Sequence, residues 1–399
     1  MAELLTFEEA QRLILERCRP LEAETVPVAE AAGRVVAEDA RAVVDLPPFP
    51  SSAMDGYAVR AVDLPGCLRV VDDSAAGLPA SRGLAAGEAI GISTGAVVPD
   101  GADAVIPVEY VVKHDNKIEV AESLAPGANV RPRGGDVAAG DVVVPAGARV
   151  GPARVGALAA AGVADVRCTR RPRVVVLATG TELARPGVAL EPGQVYEANG
   201  VMLAAALAAA GADIEIAPAV ADDEMAHRAA LERALSADAL VTSGGVSVGP
   251  HDLVRRIESE LGVEEVFWRV AIRPGKPLAF GVRGATLVFG LPGNPVSALV
   301  GSELFVKPGL RALQGLANPL PRFEPGRLAA ALRRNDARDD FVRARSRLDP
   351  DAVALDPVTG QESHMIVRAA AADALIHIPR GNGELPAGSP VSYLRLGQP

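Results

Sequence analysis

The chain has 399 residues, 49% hydrophobic and 23% charged, a globular mixture that excludes a largely disordered protein and, at roughly 100–200 residues per domain, implies several domains. A formal net charge of -10 leaves no broad basic surface for sequence-independent binding to nucleic-acid phosphates. The three cysteines, Cys18, Cys67 and Cys168, stand far apart without CxxC spacing, which points to a reducing cytoplasm and to neither a disulfide framework nor a zinc site.

The acidic N-terminus lacks the basic start and apolar stretch of a signal peptide. The most apolar run, 201–210, falls short of the ~20 residues a bilayer span needs, so no membrane segment is expected. Thr6 and Glu9 have the spacing of a capping box, and Ala10, Leu13, Ile14 and Arg17 continue at helical intervals, predicting an opening amphipathic helix. From 66 to 150 short β-branched runs, such as 104–108 and 117–120, alternate with Gly, Pro, Asn and Asp. That is the texture of a small β-domain. A short Ala-rich helix is expected over 155–162, and the basic Arg170-Arg171-Pro172-Arg173 marks a boundary.

Residues 173–178 form a continuous apolar run with no alternation, as expected of a central parallel strand buried on both faces. Then follow a helix over 201–210 closed by Gly211, a strand at 214–217, a helix over 222–235 and a strand at 239–242. A helix at 253–260, strands at 263–267 and 286–289, and a helix over 295–313 complete the pattern. This alternation specifies a three-layer α/β domain. Trp268 is expected in a core or interface. Beyond 319 the strand-and-turn texture returns, predicting a C-terminal β-domain, and the clusters Arg333-Arg334 and Asp339-Asp340 read as solvated faces.

In an open parallel sheet, ligands sit beyond the C-terminal strand ends. Three loops occupy that position: Thr179-Gly180-Thr181-Glu182-Leu183, Ser243-Gly244-Gly245-Val246-Ser247-Val248-Gly249, and Leu291-Pro292-Gly293-Asn294-Pro295. Any one of them also fits a structural turn. Three at one sheet edge point to a phosphate cradle, because glycine lets backbone N–H groups approach an anion. None matches a Walker A or GxGxxG pattern, so kinase and dinucleotide readings fall away. Glu182 and Asp252 lie beside the cradle, where carboxylates repel phosphate unless a cation intervenes, and this suggests Mg²⁺. Asp252 equally fits a helix cap and Glu182 an exposed loop charge. Arg269, Arg273 and Lys276 supply cations around a Pro274-Gly275 turn, with hairpin surface charges as the alternative.

Taken together, Ser52-Ala53-Met54-Asp55-Gly56-Tyr57-Ala58, Ser93-Thr94-Gly95-Ala96, Gly134-Gly135-Asp136, the three loops, Pro274-Gly275-Lys276-Pro277 and the Pro292–Ala298 segment closely resemble the molybdopterin molybdenumtransferase family, the MoeA proteins and the gephyrin E domain. The likeness runs nearly the full length. It implies a multidomain α/β plus β protein: an N-terminal helical and linking domain (1–46 and 137–171), an inserted β-domain (47–136), a central three-layer α/β molybdopterin-binding domain (172–318) and a C-terminal β-barrel-like domain (319–399). The implied reaction is insertion of molybdate into adenylylated molybdopterin, with Mg²⁺-assisted hydrolysis and release of AMP. A non-catalytic dimeric scaffold of the gephyrin type is the alternative.

By position, the resemblance assigns Asp55, Asp136, Glu182 and Asp252 to catalysis, with Glu182 and Asp252 on the metal. It assigns Thr94, Thr179, Gly180, Ser243, Gly244, Gly245, Ser247, Gly249, Arg269, Arg273, Lys276, Pro292, Gly293, Asn294 and Ser297 to substrate. Ser363 receives a weak ligand role and His364 none. The family often carries lysine where this chain has Arg269 and Arg273, and arginine is a planar fork rather than a point charge. A homodimer is implied, with Asp55, Thr94 and Asp136 reaching the glycine loops from the partner subunit. A molybdopterin adenylyltransferase is a candidate partner.

Overall fold

The apolar run at Arg173–Thr179 becomes the second strand of a six-stranded sheet in a computed structural model that describes residues 4–220, 224–245 and 253–397. The strand order is Asp213–Val220, Arg173–Thr179, Ala239–Ser243, Thr286–Leu291, Ala279–Arg283 and Glu264–Trp268. The first four are mutually parallel and the last two antiparallel. Ala279–Arg283 is absent from the sequence-based expectation. It is a buried run joined by only the Gly284-Ala285 turn to the next strand, so one hairpin reads as a single apolar stretch.

Helices cover both faces, as three layers require. On one face Leu203 and Leu207 of the Asn199–Ala209 helix pack with Val296, Val300 and Leu310 from the 295–313 segment. On the other, Ala230 and Leu231 pack with Val254 and Ile257. The 295–313 segment is helical throughout but changes at Ser302–Val306 to a π-helical turn between Pro295–Gly301 and Lys307–Leu313. There Glu303 and Lys307 form a buried ion pair at 2.6 Å. The opening helix, Phe7–Arg17, carries the expected capping box, and its Phe7, Ala10 and Ile14 join the same α/β core.

Between them, Ala23–Pro27 pairs antiparallel with Asp165–Thr169, which brings together the two chain segments flanking the insertion. Their apolar residues pack with Val144, Val150 and Leu158 of the Pro152–Ala160 helix and its approach. The inserted part contains a second six-stranded sheet, ordered Ala104–Pro107, Gly56–Val59, Glu88–Ile92, Gly66–Ser74, Lys117–Val120 and Val112–His114. Asp115-Asn116 turns the last hairpin, with Asp115 at φ 47°.

At the C-terminus Phe323–Leu328, Asp339–Leu348, Val353–Pro357, Ala374–Ile378 and Pro390–Arg395 close into a five-stranded barrel, the sheet circuit being completed by pairing of Asp339–Leu348 with Ala374–Ile378. Its interior holds Leu328, Leu355, Ile376 and Tyr393. The short Ile272–Arg273 strand extends this sheet from the α/β side. Among the described residues no helix is long and apolar enough to cross a membrane.

Candidate functional site

Thr179, Ser243 and Leu291 end three adjacent parallel strands in near-level register: Ala178 faces Ser243, and Ser243 faces Leu291. Strand pairing therefore delivers all three loops to one edge. Gly244 and Gly245 both have positive φ, 97° and 68°, and side chains there have no room. A β-carbon on Gly244 would lie 2.7 Å from the Thr179 carbonyl oxygen, and one on Gly245 2.5 Å from Val254. Glycine is required at this turn, and with it the backbone lies open to a ligand.

The resulting cleft, ≈ 720 Å³, is lined by Thr179, Glu182, Ser243, Gly244, Gly245, Pro292, Gly293 and Asn294. Residues the sequence reading did not name complete it. Asn199, at the start of its helix, donates from Nδ2 to Ser243 Oγ at 2.8 Å and to the Gly293 carbonyl at 2.7 Å, joining two of the three loops. Glu197 also lines the cleft and accepts the Gly200 N–H at 2.7 Å. No sequence signal marked Asn199, because its partners lie 44 and 94 residues away. The barrel supplies the last wall. Asn294 Nδ2 donates to Ser363 Oγ at 2.8 Å, Val296 N–H donates to the Ser363 carbonyl, and His364 and Ile366 face the cleft.

The fully buried Arg343 holds that barrel loop in place. Its guanidinium donates to the carbonyls of Gly360, Glu362 and Met365, and its backbone N–H to Gln361. Arg343 carries the desolvation cost of a buried cation, which pushes its pKa down, and three carbonyl acceptors compensate.

The cationic segment is arranged differently from the expectation. Arg273 forms a two-pronged ion pair with Asp340, which is 2% exposed, and lines a separate cavity with Arg333 and Arg334. Burial raises the Asp340 pKa more than Arg273 lowers it. Asp339-Asp340 is thus no solvated face, and Arg334 donates to the carbonyls of Pro379 and Arg380. Arg269, at φ 76°, lays its guanidinium 3.7 Å over the Trp268 ring, and Arg255 lies 4.1 Å from the same ring. Trp268, expected in a core or interface, is not buried in a core but is a partly exposed platform for arginines. Lys276 is exposed, and Ser297 is buried in its helix, 4% exposed.

Asp55 and Thr94 meet at a second place. Thr94 N–H donates to Asp55 Oδ1 at 2.7 Å, beside a cavity of ≈ 390 Å³ lined also by Tyr57, Asp73, Ser93 and Lys113. None of its lining residues lines the glycine cleft. Asp136 is exposed. Ser247, Gly249 and Asp252 lie outside the described residues.

Fold and cleft define an α/β protein with a glycine-lined cleft at the C-terminal edge of its sheet and β-rich units appended on both sides. The family models of the MoeA N-terminal region (domain I and II), the probable molybdopterin binding domain and the MoeA C-terminal region (domain IV) match residues 5–162, 175–312 and 325–396. The chain belongs to the MoeA family. It is 39% identical over 399 residues to molybdopterin molybdenumtransferase 2 of Mycobacterium tuberculosis, covering 96% of this chain and 98% of that one. With molybdopterin molybdenumtransferase of Haemophilus influenzae it shares 36% identity, covering 98% of both. A solved molybdopterin biosynthesis MoeA protein of Pyrococcus horikoshii superposes with a TM-score of 0.85 at 29% identity, covering 98% of this chain and all of that one.

Proposed function

We propose that this chain is a molybdopterin molybdenumtransferase acting on adenylylated molybdopterin. The observation that carries the reading is the cleft itself: three strand-end loops, cross-tied by Asn199, in a chain at least 36% identical over nearly its full length to relatives bearing that name. Backbone around Gly244, Gly245 and Gly293 receives the phosphates of the substrate, with Ser243 and Asn294 fixing their position. Water adds across the phosphoanhydride, giving AMP and the molybdopterin monophosphate. The two dithiolene thiols then bond to molybdenum, and one oxide of molybdate leaves as water, taking up the two thiol protons.

Mg²⁺ prefers oxygen ligands and keeps several waters, needing only one or two carboxylates when phosphates complete its shell. Glu182 and Glu197, both lining the cleft, are donors of that kind, although no group of three or more His, Cys, Asp or Glu side chains converges among the described residues. When bound there, the ion would neutralise phosphate charge and polarise the anhydride. Glu182 would hold it, Asn199 would keep Ser243 and the Gly293 carbonyl in register, and the Ser363 loop would exclude water from one side.

The separation of the Asp55 cavity from the cleft supports a homodimer in which the partner subunit brings Asp55, Thr94 and Asp136 to the cleft. Molybdate, AMP and an adenylyltransferase that hands over the substrate belong to the same proposal. The test is to supply adenylylated molybdopterin, Mg²⁺ and molybdate and to measure AMP and active cofactor. Molybdate-dependent AMP release is expected, and its absence where a MoeA relative is active overturns the reading.

A further inference from the structure

Beside its polar loops, the glycine cleft has an apolar wall of Leu183, Val195, Tyr196, Pro277 and Ile366, and among the described residues no lysine or arginine lines it. Tyr196 is the one phenol or indole ring in that lining, and it is 46% exposed. A single exposed aromatic is ordinary on a protein surface. This one differs because its ring is fixed and because its backbone is tied to the loops of the cradle.

The fixing is local. Tyr196 Oη donates to the Val188 carbonyl at 2.8 Å, so the hydroxyl is satisfied inside its own loop and needs nothing from a ligand. That loop is closed by Gln194, whose Oε1 accepts the Glu191 N–H at 2.9 Å and whose N–H donates to the Glu191 carbonyl. The tie to the cradle runs through the backbone. Leu183–Ala184 pairs in parallel with Val195–Tyr196, with the Val195 N–H donating to the Glu182 carbonyl at 2.9 Å and the Glu197 N–H to the Ala184 carbonyl at 2.8 Å. Asn199, which binds Ser243 Oγ and the Gly293 carbonyl, follows in the same connection. The chain from Tyr196 to Asn199 spans at most ~10 Å, so the ring stands within reach of a ligand whose phosphate lies on the glycine turn.

We propose that Tyr196 is the stacking platform for a flat heteroaromatic ring of the ligand, and so a specificity-determining residue of the cleft. The inference rests on the reading of the cleft as the substrate site. Adenylylated molybdopterin carries two such rings, adenine and pterin, and both offer the π face that a phenol ring stacks on. A ring already held in place loses little freedom on binding, which favours the stacked complex. The glycine turn receives phosphate of any origin; Tyr196 distinguishes a phosphate that carries a ring from one that does not.

The test measures binding of AMP, ribose 5-phosphate and 6-hydroxymethylpterin to the full-length protein, to Tyr196→Ala and to Tyr196→Phe. Calorimetry serves for the first two and quenching of pterin fluorescence for the third. Wild type should bind AMP more tightly than ribose 5-phosphate if adenine is the stacked ring, or quench the pterin if that ring is. Tyr196→Ala should weaken binding of that ring about tenfold, within the range of base–aromatic stacking, and leave ribose 5-phosphate unchanged. Tyr196→Phe keeps the ring and should stay closer to wild type than to Tyr196→Ala. A loss confined to AMP assigns adenine to Tyr196, and a loss confined to the pterin assigns pterin. The proposal is overturned by wild type that binds neither ring probe in preference to ribose 5-phosphate, by Tyr196→Ala that binds both probes as wild type does, by a parallel loss of ribose 5-phosphate, or by Tyr196→Phe as weak as Tyr196→Ala. None of these measurements uses molybdate or turnover, so failure here is separate from failure of molybdate-dependent AMP release.

Discussion

Single residues here work through steric exclusion and desolvation. Gly244 combines a φ of 97° with a close approach to Thr179, so Gly244→Ala is strained in backbone and side chain together. Strain of this kind costs roughly 1–3 kcal/mol, and the loop relieves it by moving. Lower turnover of adenylylated molybdopterin with a modest fall in melting temperature is the expected result, checked by AMP release and calorimetry.

His377 shows desolvation at work. It stacks on Phe341 at 5.2 Å, touches the edge of Phe7 at 5.1 Å, and lies 5.8 Å from Phe323. Its Nε2 is 3.7 Å from Asp339, too far for a hydrogen bond. Burial depresses its pKa, against the opposing pull of Asp339 and Glu8. The unfolded chain therefore takes up the proton first. Stability should be full above the ordinary histidine pKa of ~6.5 and should fall as pH drops from there toward the folded value. Denaturant midpoints between pH 8 and pH 5 check this, and His377→Phe should flatten that part of the profile.

At the scale of elements, the site depends on strand ends and on one barrel loop. The shared edge of the three loops was legible because a short apolar run followed by Gly-rich sequence reads as a buried strand ending in a turn. Three such runs placed three loops on one edge, and the sheet makes their strands immediate neighbours. The Ala279–Arg283 strand escaped, since the periodicity of a short buried hairpin does not show where one strand stops. The cationic hairpin was legible as charge but not as geometry: a side chain as long as arginine takes the partner that tertiary packing offers, here Asp340 for Arg273 and Trp268 for Arg269. The Gly360–Met365 loop makes an element-level prediction. Arg343→Met removes the donors for three carbonyls, and each buried acceptor left unsatisfied costs about 1–3 kcal/mol. Reduced melting temperature and weaker substrate binding are expected, because Ser363 then loses its hold on Asn294.

On the scale of the molecule, the Asp55 cavity and the glycine cleft lie on different units. If a two-fold dimer unites them, Asp55→Asn and Glu182→Gln are inactive alone but complement each other. Random mixing of the two variants through an unfolding and refolding cycle restores about a quarter of wild-type activity, since half the dimers are mixed and each holds one intact site. No recovery, with mixed dimers shown by mass spectrometry, counts against the shared site.

The sequence alone determined the α/β alternation, the capped opening helix, the glycine loops and the family, since these follow from local periodicity, steric need and an ordered set of motifs. Tertiary structure alone decided that Asn199 ties Ser243 to Gly293, that Asp340 takes Arg273, and that Arg343 holds the Gly360–Met365 loop. The physical reason is common to all three. A side chain's partner is set by which distant segments the sheets and helices bring within about 3 Å, the reach of a hydrogen bond, and no local pattern encodes that distance.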